Sequence, residues 1–214
     1  MAVNLLRRVA RAVVPRPVRL YLRRFWLEPK PFWDRVRLAG LPTHVPPSPA
    51  FKHRVIKEHA HGLDTFVETG TFRGDTIEAV RTLFRDVWSI ELSPDLAAAA
   101  RKRFAASPNV QIVEGDSGTA LPELLPRLDG PVLFWLDGHW CGGDTAMGET
   151  ETPILAELQT VLARPETDVI LIDDARLLGR GDYPSVATVE GLVRNALPPR
   201  TMEIVHDIVR IKHR

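Results

Sequence analysis

From residue 63 onward, short apolar runs alternate with longer stretches in which apolar and polar residues recur at helical spacing. LDTFVE, ending at Glu68, predicts a strand, and a helix follows from about Asp75 to Arg85. VWSIE ends a second strand at Glu91, before a helix over PDLAAAARKRFAA; NVQIVEG is a third strand, before a helix near TALPELLPRL. PVLFWLD closes a fourth strand at Asp137, ETPILAELQTVLAR is an amphipathic helix, and DVILIDD from Asp168 to Asp174 is a fifth strand. Nearly continuous apolar strands between helices call for an α/β fold, with a parallel sheet covered on both faces. After a last helix over SVATVEGLVRNAL, the segment TMEIVHDIVRIKHR divides into two strands joined near His206 and Asp207. No crossover helix fits between them, so this pair is antiparallel, which gives seven strands in all.

The first 50 residues have a different texture. Eight of the 18 prolines fall there, and residues 1 to 14 place Leu5, Leu6, Val9 and Val13 near one helical face. We read residues 1–50 as a basic, proline-interrupted helical arm and connector, and residues 51–214 as the domain that binds ligand and does chemistry. Residues 1 to 40 carry ten Arg or Lys against Glu28 and Asp34, an excess of 8, so the +1 of the whole chain leaves −7 for residues 41 to 214. An acidic body argues against a nucleic-acid partner, whereas the arm suits a lid, a homodimer contact or a peripheral membrane contact. The single cysteine, Cys141, excludes an internal disulfide and a cysteine-cluster zinc site. No apolar run approaches the length of a membrane span, and no cleavable leader pattern opens the chain, so the expected location is cytoplasmic, with membrane association through the arm as an option.

Ligands of such sheets sit beyond the carboxyl ends of the strands. The first of these ends reads Glu68-Thr69-Gly70-Thr71-Phe72-Arg73-Gly74, which lacks the three-glycine spacing of a dinucleotide turn. Gly70 lets the backbone approach a ligand, and Glu68 tolerates an ammonium where a pyrophosphate would be repelled. Glu91 ends the next strand and suits the two hydroxyls of a ribose. Asp116, in EGDSG, offers an acceptor for an adenine amine, although Gly115-Asp116-Ser117 equally suits a turn and a helix N-cap. Together these residues favour a nucleoside joined to an amino acid.

On those segments the chain resembles class I S-adenosylmethionine-dependent methyltransferases: VETGTFRG is similar to their first motif, IELSPD to their second-strand acid region, VEGDS to the third-strand region and FWLDGH to the fourth-strand end. The resemblance covers roughly residues 63 to 213. It implies a Rossmann-like sheet of order 3-2-1-4-5-7-6 with an antiparallel seventh strand. It further implies that Glu68, Thr69, Gly70, Thr71 and Gly74 surround the methionine portion of the cofactor, that Glu91 binds ribose, that Asp116 and Ser117 lie near adenine, and that Asp137 borders the cofactor.

Beyond the fourth strand, LDGHWCGGDTAMGETETP combines Asp137, His139, Asp144, Glu149 and Glu151 with Gly138, Gly142, Gly143 and Gly148, the composition of an active-site rim. Thirty-six residues after Asp137 the fifth strand ends in Asp173-Asp174. Three carboxylates on one edge repel unless separated, protonated or neutralised by a cation, and a hard ion such as Mg²⁺ is one solution. The arrangement also resembles metal-dependent small-molecule O-methyltransferases, which implies Asp137, Asp173 and Asp174 as metal ligands; an aspartate at 174 departs from the catechol type, where an amide residue is common. The expected chemistry is methyl transfer to an oxygen of a small molecule or glycan, with His139 or Asp137 taking the proton. The alternative is a non-catalytic nucleoside-binding module with a basic arm. Arg176 and Arg180, past the acidic pair, suit either solvent or an anionic acceptor.

Overall fold

The structure is a computed structural model that describes residues 46–138 and 152–214. Its contacts divide the chain into two units, Met1–Gly40 and Leu41–Arg214, and the first lies outside the described residues. The arm assigned to residues 1–40 is therefore outside them, as is His139.

The first described helix of the second unit is α1 (Pro49–His59), which starts at the last residues of the proline-rich connector and runs through a stretch for which the sequence pattern predicted no element. The local reasons are legible. Ser48 is extended and its hydroxyl accepts from the Phe51 amide, Pro49 sits at the first helical position, and Phe51, Val55 and Ile56 form the buried stripe. Then follow β1 (Thr65–Thr69), α2 (Asp75–Val80), β2 (Asp86–Glu91), α3 (Pro94–Arg103), β3 (Val110–Glu114), α4 (Ser117–Leu124), β4 (Val132–Leu136), α5 (Ile154–Leu162), β5 (Val169–Ile172), α6 (Val186–Asn195), β6 (Arg200–Val205) and β7 (Ile208–His213). The predicted strands and helices after residue 63 are all present, with bounds that differ by a few residues.

One sheet contains all seven strands in the order β3-β2-β1-β4-β5-β7-β6. The β1–β2, β1–β4, β2–β3 and β4–β5 pairs are parallel, and β7 runs antiparallel to both β5 and β6. The turn between β6 and β7 places His206 and Asp207 at φ 51° and 65°, the backbone of a two-residue hairpin. Both faces are covered, as apolar strands require. On one face Val67, Phe134, Ile170 and Ile211 pack with Leu121, Leu158 and Val189 of α4, α5 and α6. The alternate residues Phe66, Leu133 and Leu171 are equally buried, and Phe66 stacks on Phe84 at 5.2 Å.

Register is what builds the site. Thr69 pairs with Ile90 and Leu136, and Leu136 pairs with Ile172. The next residue of each strand, namely Gly70, Glu91, Asp137 and Asp173, therefore falls in one row at the carboxyl edge. Among the described residues no helix is long and apolar enough to cross a membrane.

Candidate active site

The turn after β1 lies against the end of β4. Gly70 has φ 83°, and a Cβ added there would come 2.6 Å from the Asp137 carbonyl oxygen, so neither the backbone angle nor the space admits a side chain. The Thr69 hydroxyl accepts from the amides of Asp137 and Gly138, at 3.2 Å each, which ties the two loops together. Gly74, at φ 74°, precedes α2, and a Cβ there would meet the Phe104 ring at 2.7 Å. Both glycines are thus demanded by geometry.

Glu68 lies within β1, 1% exposed, and receives a hydrogen bond from Ser89 at 2.7 Å; the Ser89 and Thr71 hydroxyls are also bonded to each other. Burial, together with the charges of Asp137 and Glu91 and against the Ser89 bond, raises its pKa to about 8. Near neutral pH it is mostly an uncharged acid. Glu91, at the end of β2, is held by two backbone amides: Phe72 donates to Oε2 at 2.7 Å and Ser93 to Oε1 at 2.9 Å. Each oxygen retains further acceptor capacity. Asp116 is the N-cap of α4, accepting from the Gly118 amide at 2.8 Å. Ser117 is buried beside Gly138.

The three rim acids come together: one carboxylate oxygen from each of Asp137, Asp173 and Asp174 lies within 4.8 Å of the others. Sequence reasoning missed what stands among them. Lys52 of α1 places its ammonium in a direct ion pair with Asp173 and 3.4 Å from Asp174 Oδ1. Burial alone would lower the Lys52 pKa, but the charges of Asp173, Asp137 and Asp174 outweigh it and the pKa stands above its ordinary value. Burial and then Asp137 push the Asp173 carboxyl up while Lys52 opposes them, and the contact itself has the geometry of an ammonium–carboxylate pair. Asp174 has φ 54°, a left-handed angle that a non-glycine residue adopts at a cost, and Arg176 bonds its Oδ1 at 2.6 Å. Arg176 also pairs with the buried Asp207 of the hairpin turn, so it is engaged internally, not left to solvent.

A divalent ion on the same carboxylates would have to displace the Lys52 ammonium from Asp173 Oδ2 and the Arg176 guanidinium from Asp174 Oδ1. As arranged, these residues do not fit a resident divalent ion.

Glu157 of α5 was also missed. It is fully buried, with Oε1 aimed at Gly138: a Cβ added at Gly138 would meet it at 3.1 Å, Thr69 Oγ1 at 3.2 Å and Ser117 Oγ at 3.3 Å. Burial raises its pKa to about 7; the Ser117 and Thr69 hydroxyls lie near enough to oppose that shift, yet neither is aligned as a hydrogen-bond partner.

No protein-family model matches the sequence, and no curated protein matches it. Solved structures do. A candidate rRNA methylase from Clostridium thermocellum is 12% identical, covering 74% of this chain and 95% of its own, with a TM-score of 0.52. A candidate methyltransferase from Streptococcus mutans, SMU.1697c, solved with S-adenosylhomocysteine, is 13% identical over 76% and 95%, with a TM-score of 0.51. PaMTH1, the S-adenosylhomocysteine-bound methyltransferase of Podospora anserina, is 16% identical over 86% and 85%, with a TM-score of 0.50. The fold is the Rossmann-like class I methyltransferase fold.

Proposed function

We propose that this chain transfers a methyl group from S-adenosylmethionine to an oxygen of a small molecule or glycan. The observation that carries the reading is the row Gly70, Glu91, Asp137 and Asp173, which the sheet register assembles at one edge. A backbone approach that no Cβ allows, an acid at the end of β2 and an acidic rim after β4 and β5 meet the needs of an adenosine-linked amino acid beside an acceptor hydroxyl.

In this reading Thr69, Gly70, Thr71 and Gly74 shape the surface for the methionine portion, with Glu68 beneath them as a buried, mostly neutral acid. Glu91, already oriented by two amides, accepts from the ribose hydroxyls, and Asp116 and Ser117 flank the adenine. S-adenosylmethionine supplies a methyl group on a sulfonium. The acceptor oxygen forms the new C–O bond as the C–S bond breaks, with the electron pair of that bond leaving on sulfur and the hydroxyl proton passing to His139 or Asp137. Most of the rate comes from holding oxygen, carbon and sulfur in line.

Calorimetric titration with S-adenosylhomocysteine, NAD and ATP tests the ligand class. S-adenosylhomocysteine is expected to bind and NAD and ATP are not; preferential binding of NAD would sink the reading. Glu91→Ala is expected to raise the S-adenosylhomocysteine Kd by about tenfold or more, since a buried charged acceptor bond contributes roughly 1.5–3 kcal/mol.

A further inference from the structure

Among the described residues the carboxylate edge holds four acids, Asp137, Asp173, Asp174 and Asp207, and two cations, Lys52 and Arg176. Arg176 serves Asp174 and Asp207. That leaves Lys52 as the cation that meets Asp173 and reaches the center of the trio. Its delivery is structural, not incidental. Ser48 and Pro49 fix where α1 begins, and Phe51, Val55 and Ile56 bury the helix face. The Phe51 ring meets the His206 ring edge-on at 5.3 Å, and Arg54 covers Phe51 at 4.7 Å from its centroid. Lys52, next to Phe51, is thereby aimed 121 residues along the chain at Asp173, with a side chain 21% exposed against 1% for its partner.

We infer that Lys52 is the resident cation of this edge, standing where the sequence pattern suggested a divalent metal, and that it is a positioning residue for Asp137, Asp173 and Asp174. Both oxygens of Asp173 are engaged by the chain itself: Oδ2 accepts from the Lys52 ammonium and Oδ1 accepts from the Asp174 amide at 2.8 Å. That amide bond helps hold Asp174 in its left-handed conformation, so one lysine sets the geometry of two neighbouring acids. A cation built into the chain offsets part of the negative charge of this edge without an ion from solution, and of the three rim acids Asp137 is the one next to β1 and the turn that follows it. The part Lys52 plays in methyl transfer rests on the function proposed above; its occupancy of the edge does not.

The test uses the full chain and Mn²⁺ as the probe, followed by electron paramagnetic resonance and calorimetry. The unaltered protein is expected to bind no stoichiometric Mn²⁺. Lys52→Met keeps a stem of similar length without the charge, frees Asp173 Oδ2 beside Asp137 and Asp174, and is expected to gain one Mn²⁺ that a second change, Asp173→Asn, removes. Lys52→Arg restores a cation and is expected to bind none, a rescue that a purely structural role for the lysine would not produce. Stoichiometric Mn²⁺ binding by the unaltered protein that Asp173→Asn abolishes overturns the inference, as does a folded Lys52→Met chain that binds no more Mn²⁺ than its parent. Should Lys52→Met fail to fold, the comparison of the unaltered chain with Asp173→Asn still decides. S-adenosylhomocysteine binding, measured on the same samples, separates failure of the cofactor reading from failure of this one.

Discussion

Strand β5 has an aspartate immediately before it and another immediately after it, and the two have opposite fates. Asp168, at the amino end, is fully buried and closed in: the Val132 amide donates to Oδ1 at 2.8 Å and Arg164 Nε to Oδ2 at 3.0 Å. The guanidinium groups around it are themselves tied to backbone carbonyls, Arg164 to Gly130 at 2.8 Å, and Arg200 to Asp168 and Glu166 at 2.9 Å each. Asp173, at the carboxyl end, shares its edge with two more rim acids and draws its cation from a helix on the far side of the sequence. Among the described residues, cations outnumber the carboxylate at one end of the strand and carboxylates outnumber cations at the other. A buried charge surrounded by carbonyls and guanidiniums serves the fold, whereas acids gathered at the carboxyl edge of a parallel sheet stand where such folds handle their ligands.

The largest effect should come from breaking the closed end. Asp168→Ala leaves two buried guanidiniums facing each other without their carboxylate, a change that costs about 3–5 kcal/mol for a buried pair. Urea denaturation is expected to show that loss, while the S-adenosylhomocysteine Kd of the folded fraction stays unchanged. A substitution that shifted affinity and left stability intact would reverse the roles assigned to the two ends.

Next in size is a pH effect at the open end, through Glu68. Its folded pKa, raised to about 8, stands above the ordinary 4.5, so the folded chain holds a proton that the unfolded chain releases across that window. Stability from this group is complete below about pH 4.5 and is lost as pH rises toward 8, at up to about 1.4 kcal/mol per pH unit. Glu68→Gln removes that loss. Its Tm is expected to match the parent near pH 4 and to exceed it increasingly toward pH 8; parallel Tm profiles for the two chains would show that Glu68 titrates normally.

Much of this comparison is legible in the sequence, and the remainder is illegible for physical reasons. Apolar runs ending near Glu68, Glu91, Asp137 and Asp173 mark the strands, because a parallel sheet is buried on both faces, but the row starts at Gly70, since β1 continues to Thr69 and Glu68 lies inside it. The hairpin at His206 and Asp207 follows from the absence of any room for a crossover. Asp116 suits an N-cap by its place in EGDSG, and its Oδ1 does cap α4. Lys52 was hidden because its partner is 121 residues away and charge pairing over such a span leaves no local pattern; only the Ser48-Pro49 start and the Phe51, Val55, Ile56 stripe could have revealed its helix. Glu157 was hidden differently. On an amphipathic helix a glutamate ordinarily marks the solvated face, and nothing in ETPILAELQTVLAR indicates that the ends of β1 and β4 and the start of α4 close over it.

The smallest change in stability, and the sharpest contrast with Asp168→Ala, is expected from Asp173→Asn. Burial and the charge of Asp137 already disfavour the ionised form of Asp173, and Lys52 only partly offsets them, so removing the charge relieves repulsion about as much as it loses attraction. The amide is nearly the same size, its single oxygen can keep the bond from the Asp174 amide or the one from Lys52 but not both, and Lys52 remains near Asp174 at 3.4 Å. Stability is expected to move by no more than about 1 kcal/mol in either direction, the scale of a hydrogen bond exchanged between similar partners. Turnover with a competent acceptor is expected to fall much further than that, because the amide no longer fixes the ammonium and Asp137 loses the arrangement that orients it. A stability loss as large as that of Asp168→Ala, with turnover intact per folded molecule, would place both aspartates in the same structural class and remove the distinction between the two ends of the strand.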